Sequence, residues 1–179
     1  MRRTLLGGGA ALLLLLAPSG CGVFRSSKPA AEACPAAIIL RSLANTAVFA
    51  PGKALRPENV AFYGILDEVD RNCEDISPNA VRVRLTIDVI GQRGPAARGD
   101  AVDFQYFVAV TAPGERVLVK QPLTVRVTIP PDRQRAGVTD QFEEVIPLAG
   151  GYKPGQLTLD LGFQQSPEIV DFYRHFRGR

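Results

Sequence analysis

The stretch Val81-Arg82-Val83-Arg84-Leu85-Thr86-Ile87-Asp88-Val89 alternates aliphatic and polar side chains without a break. A period of two puts Val81, Val83, Leu85, Ile87 and Val89 on one face of a strand and Arg82, Arg84, Thr86 and Asp88 on the other. Outward from it, the pattern recurs three times. Val102, Phe104, Tyr106, Val108 and Val110 alternate with Asp103, Gln105, Phe107 and Thr111. Leu123, Val125, Val127 and Ile129 alternate with Thr124, Arg126 and Thr128, and Leu157, Leu159, Leu161 and Phe163 alternate with Thr158, Asp160 and Gln164. Residues 37–41, 60–69, 116–120 and 143–148 carry weaker versions of the same signal.

Turn chemistry separates these runs. Pro113-Gly114 fits a tight turn, and Gly150-Gly151 with Pro154-Gly155 brackets another. Pro122 turns the join between 116–120 and 123–129 into an edge, a bend or a change of sheet, because it has no N–H to donate to a ladder. Short strands without βαβ spacing predict an all-β domain: an immunoglobulin-like sandwich of two antiparallel sheets with seven to eight strands. A small β-barrel is the alternative. Ser166, Pro167 and Glu168 then form a helix start, with Ser as N-cap and Pro in the first turn. Ile169, Phe172, Tyr173 and Phe176 fall on one face of that short C-terminal helix. The face either caps the open end of the sandwich or, with Arg174, Arg177 and Arg179 nearby, docks on a partner or membrane.

The first residues concern compartment rather than fold. Arg2 and Arg3 precede an uncharged run, LLGGGAALLLLLA from Leu5 to Ala17, and Pro18-Ser19-Gly20-Cys21 follow. The run is too short to span a bilayer core of roughly 30 Å. This segment resembles a bacterial lipoprotein signal closed by a lipobox. The resemblance implies a signal peptide at 1–20, cleavage between Gly20 and Cys21, and lipid on Cys21. It implies a membrane as partner through that lipid, since two or three acyl chains anchor stably without a transmembrane helix. Residues 21–33 become a lipidated N-terminus and tether; the twelve residues 22–33, fully extended, reach at most about 40 Å. Residues 34–179 form the domain. Gly22 stands where, in that family, an Asp signals retention in the inner membrane. The implied location is therefore the periplasmic face of the outer membrane, with the inner membrane the lesser expectation.

The chain has three cysteines. With Cys21 assigned to lipid, Cys34 and Cys73 remain as one pair in an oxidising compartment, and a disulfide between them is expected. Their placement, before the first strand read above and after the second, suits two adjacent antiparallel strands. The alternative is a pair of reduced, buried thiols.

Little else in the chain promises chemistry. There is one histidine, His175, near the end, with nothing resembling a nucleophile elbow around it. One histidine, no spare cysteine pair and a single methionine, Met1, argue against zinc and copper, and no metal or cofactor is expected. Asp67, Glu68, Asp70, Glu74 and Asp75 are the densest acidic stretch; their spacing is not that of a calcium loop, and they read as solvated surface. Arg98-Gly99-Asp100 in the Gly/Pro-rich segment 91–100 reads as turn chemistry rather than an adhesion motif. The formal charge is +3, and Arg2 and Arg3 leave with the signal, so nothing favours nucleic acid.

The domain portion also resembles small, uncharacterised β-sandwich lipoproteins of proteobacteria, a likeness of architecture that implies no activity. The expected function is a non-enzymatic cell-envelope lipoprotein whose sandwich meets an envelope protein partner as an assembly or accessory subunit. The alternative is a small-ligand or glycan-binding module using loops at one end. A hydrolase built on the acidic stretch comes third, and no residue is assigned a catalytic role.

Overall fold

A computed structural model describes residues 34–175. The signal at 1–20, the tether at 21–33 with Cys21, and Phe176, Arg177 and Arg179 lie outside the described residues, as does the side chain of Asp75.

Among the described residues, eight strands form two four-stranded sheets. The strands are β1 Ala36–Ile39, β2 Asn45–Phe49, β3 Val60–Ser77, β4 Ala80–Arg93, β5 Ala101–Ala112, β6 Arg116–Thr128, β7 Arg135–Pro147 and β8 Thr158–Phe163; helix α1, Pro167–His175, follows. One sheet has the order β1-β8-β5-β6 and the other β2-β3-β4-β7. Neither closes on itself, so the fold is a sandwich and not a barrel. Every pairing is antiparallel except β1 with β8, which run parallel from Ala36 opposite Thr158.

The period-two residues supply the core. Val81, Val83, Leu85, Ile87 and Val89 of β4 face Phe104, Tyr106, Val108 and Val110 of β5 and Leu159, Leu161 and Phe163 of β8, all buried. Each such side chain contributes roughly 1.5–3 kcal/mol on leaving water. Phe104 and Phe163 meet at 5.7 Å between ring centroids. Phe104 can lie so close to the opposite sheet because residue 64 is glycine: a Cβ there would sit 2.8 Å from Phe104 Cε1.

Several edges differ from expectation. β2 and the first half of β7 are strands that hydrophobic alternation does not reveal, and β3 runs on through the acidic stretch to Ser77. Residues 116–120 and 123–128 belong to one strand, β6, with Pro122 inside it opposite Phe107. β6 is an edge strand, the setting in which a ladder tolerates proline. β7 is the edge of the other sheet. It turns Asp140 and Glu144 toward the inner side, opposite Ile87 and Val83, and inward charge on an edge disfavours pairing with a foreign strand.

The cysteines lie elsewhere than two adjacent strands would put them. Cys34 precedes β1 in one sheet, whereas Cys73 lies within β3 in the other. The bridge Cys34–Cys73 forms nonetheless, with Cα atoms 5.8 Å apart. It links the two layers, because Cys73 stands opposite the inward-facing Val83 and so points into the gap between the sheets.

The register defines two poles. The chain comes in at Cys34 beside the start of β8, the β5–β6 turn, the β3–β4 turn and the segment 148–156; Leu148 N–H donates to the Asn79 carbonyl there at 2.8 Å. This is the proximal pole. The distal pole holds the β2–β3, β4–β5 and β6–β7 connections. Helix α1 lies against β2 beside the distal pole, with Phe172 edge-on to Phe49 at 5.2 Å and the Tyr173 hydroxyl donating to the Thr46 carbonyl at 2.7 Å. Its aromatic face is therefore packed on a sheet face rather than across an open end.

Candidate functional site

The residues that sequence reading singles out do not converge. The acidic stretch is strung along β3, much of it beyond the end of β2, where β3 has a neighbour on one side only. Glu68 and Asp70 are exposed, and a charged free edge resists strand addition. Glu74 belongs to an ion-pair network on the outer sheet face: Arg82 lies 3.2 Å from Glu74, and Arg84 Nε donates to Glu143 at 2.7 Å. Among the described residues, no three His, Cys, Asp or Glu side chains gather where a metal ion could be held.

Arg98-Gly99-Asp100 sits at the distal pole, and Arg93 at the end of β4 organises it. Arg93 donates through Nη1 to the Gly99 carbonyl at 2.6 Å, and through Nη2 to Asp100 at 2.7 Å and the Ile129 carbonyl at 2.8 Å. Its Nε reaches the Arg133 carbonyl at 3.2 Å. A rigid guanidinium fork thus ties three chain segments together, a task an ammonium could not copy. Its side chain is only 14% exposed, and the Asp100 carboxylate is engaged in holding it. Gly99 takes φ +80°, a left-handed turn conformation that suits glycine.

One polar pair has no signature in the sequence. Tyr106, fully buried on β5, donates its hydroxyl to Asp140 of β7 at 2.8 Å. Burial pushes the Tyr106 hydroxyl far above the ordinary phenol range, and the bonded Asp140 carboxylate adds to the shift. Tyr106, with no exposed surface, joins the two layers through this bond.

A concavity of about 670 Å³ lies between α1 and the β2–β3 connection, lined by Leu55, Pro57, Pro167, Glu168, Asp171, Phe172 and His175. Apolar groups form part of its wall and two carboxylates its rim. A hydrogen bond from the Ser166 hydroxyl holds the Glu168 carboxyl below its usual range. His175 Nδ1 is 3.0 Å from the Asp171 carbonyl, which can only accept, so Nδ1 carries the proton. The imidazole is exposed at the rim and spends that donor within its own helix.

The proximal pole carries the other notable surface. Residues 116–122 of β6 are exposed on both faces, so this half of the strand overhangs the sheet opposite. Val117, Leu118 and Val119 are consecutive and 56%, 41% and 42% exposed. Arg116 bonds the Tyr152 hydroxyl, and the Lys120 ammonium lies 4.0 Å over the Phe107 ring. The β5–β6 turn that projects them needs left-handed backbone at both Gly114, φ +78°, and Glu115, φ +59°.

No helix among the described residues is long and apolar enough to cross a membrane. No family model, curated protein or solved structure matches the chain.

Proposed function

We propose that this chain is an exported lipoprotein, anchored through lipid on Cys21 after cleavage at Gly20, whose sandwich serves a protein partner as a non-enzymatic assembly or accessory subunit. The observation that carries this reading is the placement of Cys21 directly after small residues at the close of an uncharged leader. The inter-sheet disulfide supports it, because such bridges persist in oxidising compartments. So does the use made of the chain's conspicuous polar groups: Asp100 holds Arg93, Glu74 holds Arg82, and Asp140 accepts from Tyr106. The membrane is the outer one, on its periplasmic side, given Gly22 after the cysteine.

Labelling with a fatty-acid analogue tests the anchor. The full chain takes up label and sediments with membranes, whereas Cys21→Ser takes up none and is soluble. Unchanged membrane association of Cys21→Ser sinks the reading. Crosslinking in intact cells addresses the partner, with one stoichiometric protein product as the expected result. The concavity beside α1 favours a second reading, a small-ligand or glycan-binding module, and absence of any crosslinked protein would leave that reading ahead.

A further inference from the structure

Two independent features meet at the proximal pole. The chain from residues 1–33 arrives there, at Cys34. The exposed Val117-Leu118-Val119 run is projected at the same pole, since β6 begins beside the end of β5 and the end of β5 pairs with the start of β8. Lone exposed aliphatics are ordinary, but three in a row on an overhanging strand are not. Arg116 and Lys120 flank the run, the combination of aliphatic surface with adjacent cations that suits the boundary between lipid headgroups and acyl chains.

We propose that the proximal pole is the lipid-facing surface of the domain, with Val117, Leu118 and Val119 resting in the headgroup–acyl boundary of the membrane that holds Cys21. This inference rests on the lipid anchor. The tether length makes it geometrically direct. Twelve residues between the anchored cysteine and Cys34 hold that pole within about 40 Å of the bilayer at most, and any slack lets it touch down. Val117 pairs with Thr111 and Val119 with Val110, so the run presents side chains on both faces of this end of β6, and its free edge finds hydrogen-bond partners in the hydrated headgroup layer. Exposure of Val117, Leu118 and Val119 then becomes burial, and the distal pole, with its concavity, faces away from the membrane toward a partner.

The chain contains no tryptophan, so a single introduced indole is an unambiguous depth probe. Leu118→Trp and, at the distal pole, Leu55→Trp start from matched exposures of 41% and 42%. Each full chain, acylated in cells, is reconstituted into phosphatidylethanolamine–phosphatidylglycerol vesicles with brominated acyl chains. The expected result is a blue shift and several-fold stronger quenching for Leu118→Trp than for Leu55→Trp. Flotation with the vesicles, compared with Cys21→Ser, reads the anchor separately. A chain that floats but is quenched equally at both positions, or at neither, overturns the lipid-facing pole and leaves the anchor standing. A full chain that does not float sinks both. A blue shift at Leu118→Trp that follows protein concentration without vesicles means that a second copy covers the run, which also overturns the proposal.

Discussion

The Tyr106 hydroxyl crosses the sandwich to the Asp140 carboxylate at 2.8 Å, joining an interior strand of one sheet to the edge strand of the other. The pair sets the first prediction. Tyr106→Phe keeps the ring and leaves Asp140 with its bond from the Gln141 N–H alone. Loss of a bond to a charged acceptor costs about 1.5–3 kcal/mol, read as a lower urea midpoint with unchanged slope. The pH dependence has a definite sign. The fold holds the Tyr106 proton more tightly than the unfolded chain does. That stabilisation is complete below about pH 10 and is lost as pH rises beyond it. Melting curves from about pH 8 to about pH 11 should fall more steeply for the wild type than for Tyr106→Phe. Parallel curves would rule out this tyrosine as a source of alkaline instability.

The bridge Cys34–Cys73 closes a separation of 39 residues and joins the layers. Loop-closure entropy for that length corresponds to about 4 kcal/mol. A domain with typical stability has only about 5–15 kcal/mol in all. Cys34→Ser, or reduction of the wild type, should therefore lower the melting temperature sharply. Two free thiols in the folded, unreduced protein would sink the bridge, while an unchanged melting temperature would sink only its stabilising role.

Two glycines offer a matched contrast. A Cβ on Gly94 would lie 2.2 Å from the Val60 carbonyl oxygen, whereas on Gly137 its nearest neighbours are at 3.8 Å. Gly94→Ala should destabilise by at least about 1–3 kcal/mol, since the obstacle is backbone, while Gly137→Ala stays near neutral. Equal unfolding midpoints for the two variants would refute the close approach at Gly94.

Arg93→Met removes the fork that holds the Arg98-Gly99-Asp100 turn. Limited trypsin digestion should cut after Arg98 faster in this variant than in the wild type, because cleavage needs a locally opened loop. An unchanged rate would mean that the turn holds without Arg93.

The strands legible in the sequence are those with one face fully in the core: β4, β5, β8 and the second half of β6. There, burial of alternate residues and strand geometry impose the same period. β2 and the first half of β7 are less legible because an edge strand can be completed by its neighbour's hydrogen bonds. The run Arg135-Ala136-Gly137-Val138-Thr139-Asp140-Gln141 carries little aliphatic surface, yet it pairs along β4 from Gln92 to Thr86. The acidic half of β3 reads as loose surface for the same reason; its order comes from β4 on one side.

Local residues by themselves determined that this chain has a β domain, that its turns fall at Pro113-Gly114 and Gly150-Gly151, and that a helix starts after Ser166. Each is a matter of neighbours a few positions apart. That Cys34 meets Cys73 could be expected from cysteine count, but not by which route. Only the tertiary structure decided that the bridge joins two layers, that β1 runs parallel to β8, that Asp140 reaches Tyr106, and that an exposed aliphatic run shares a pole with the incoming chain. Those relations depend on which strands share a sheet, and sheet membership is set by the packing of faces far apart in sequence, which no local period records.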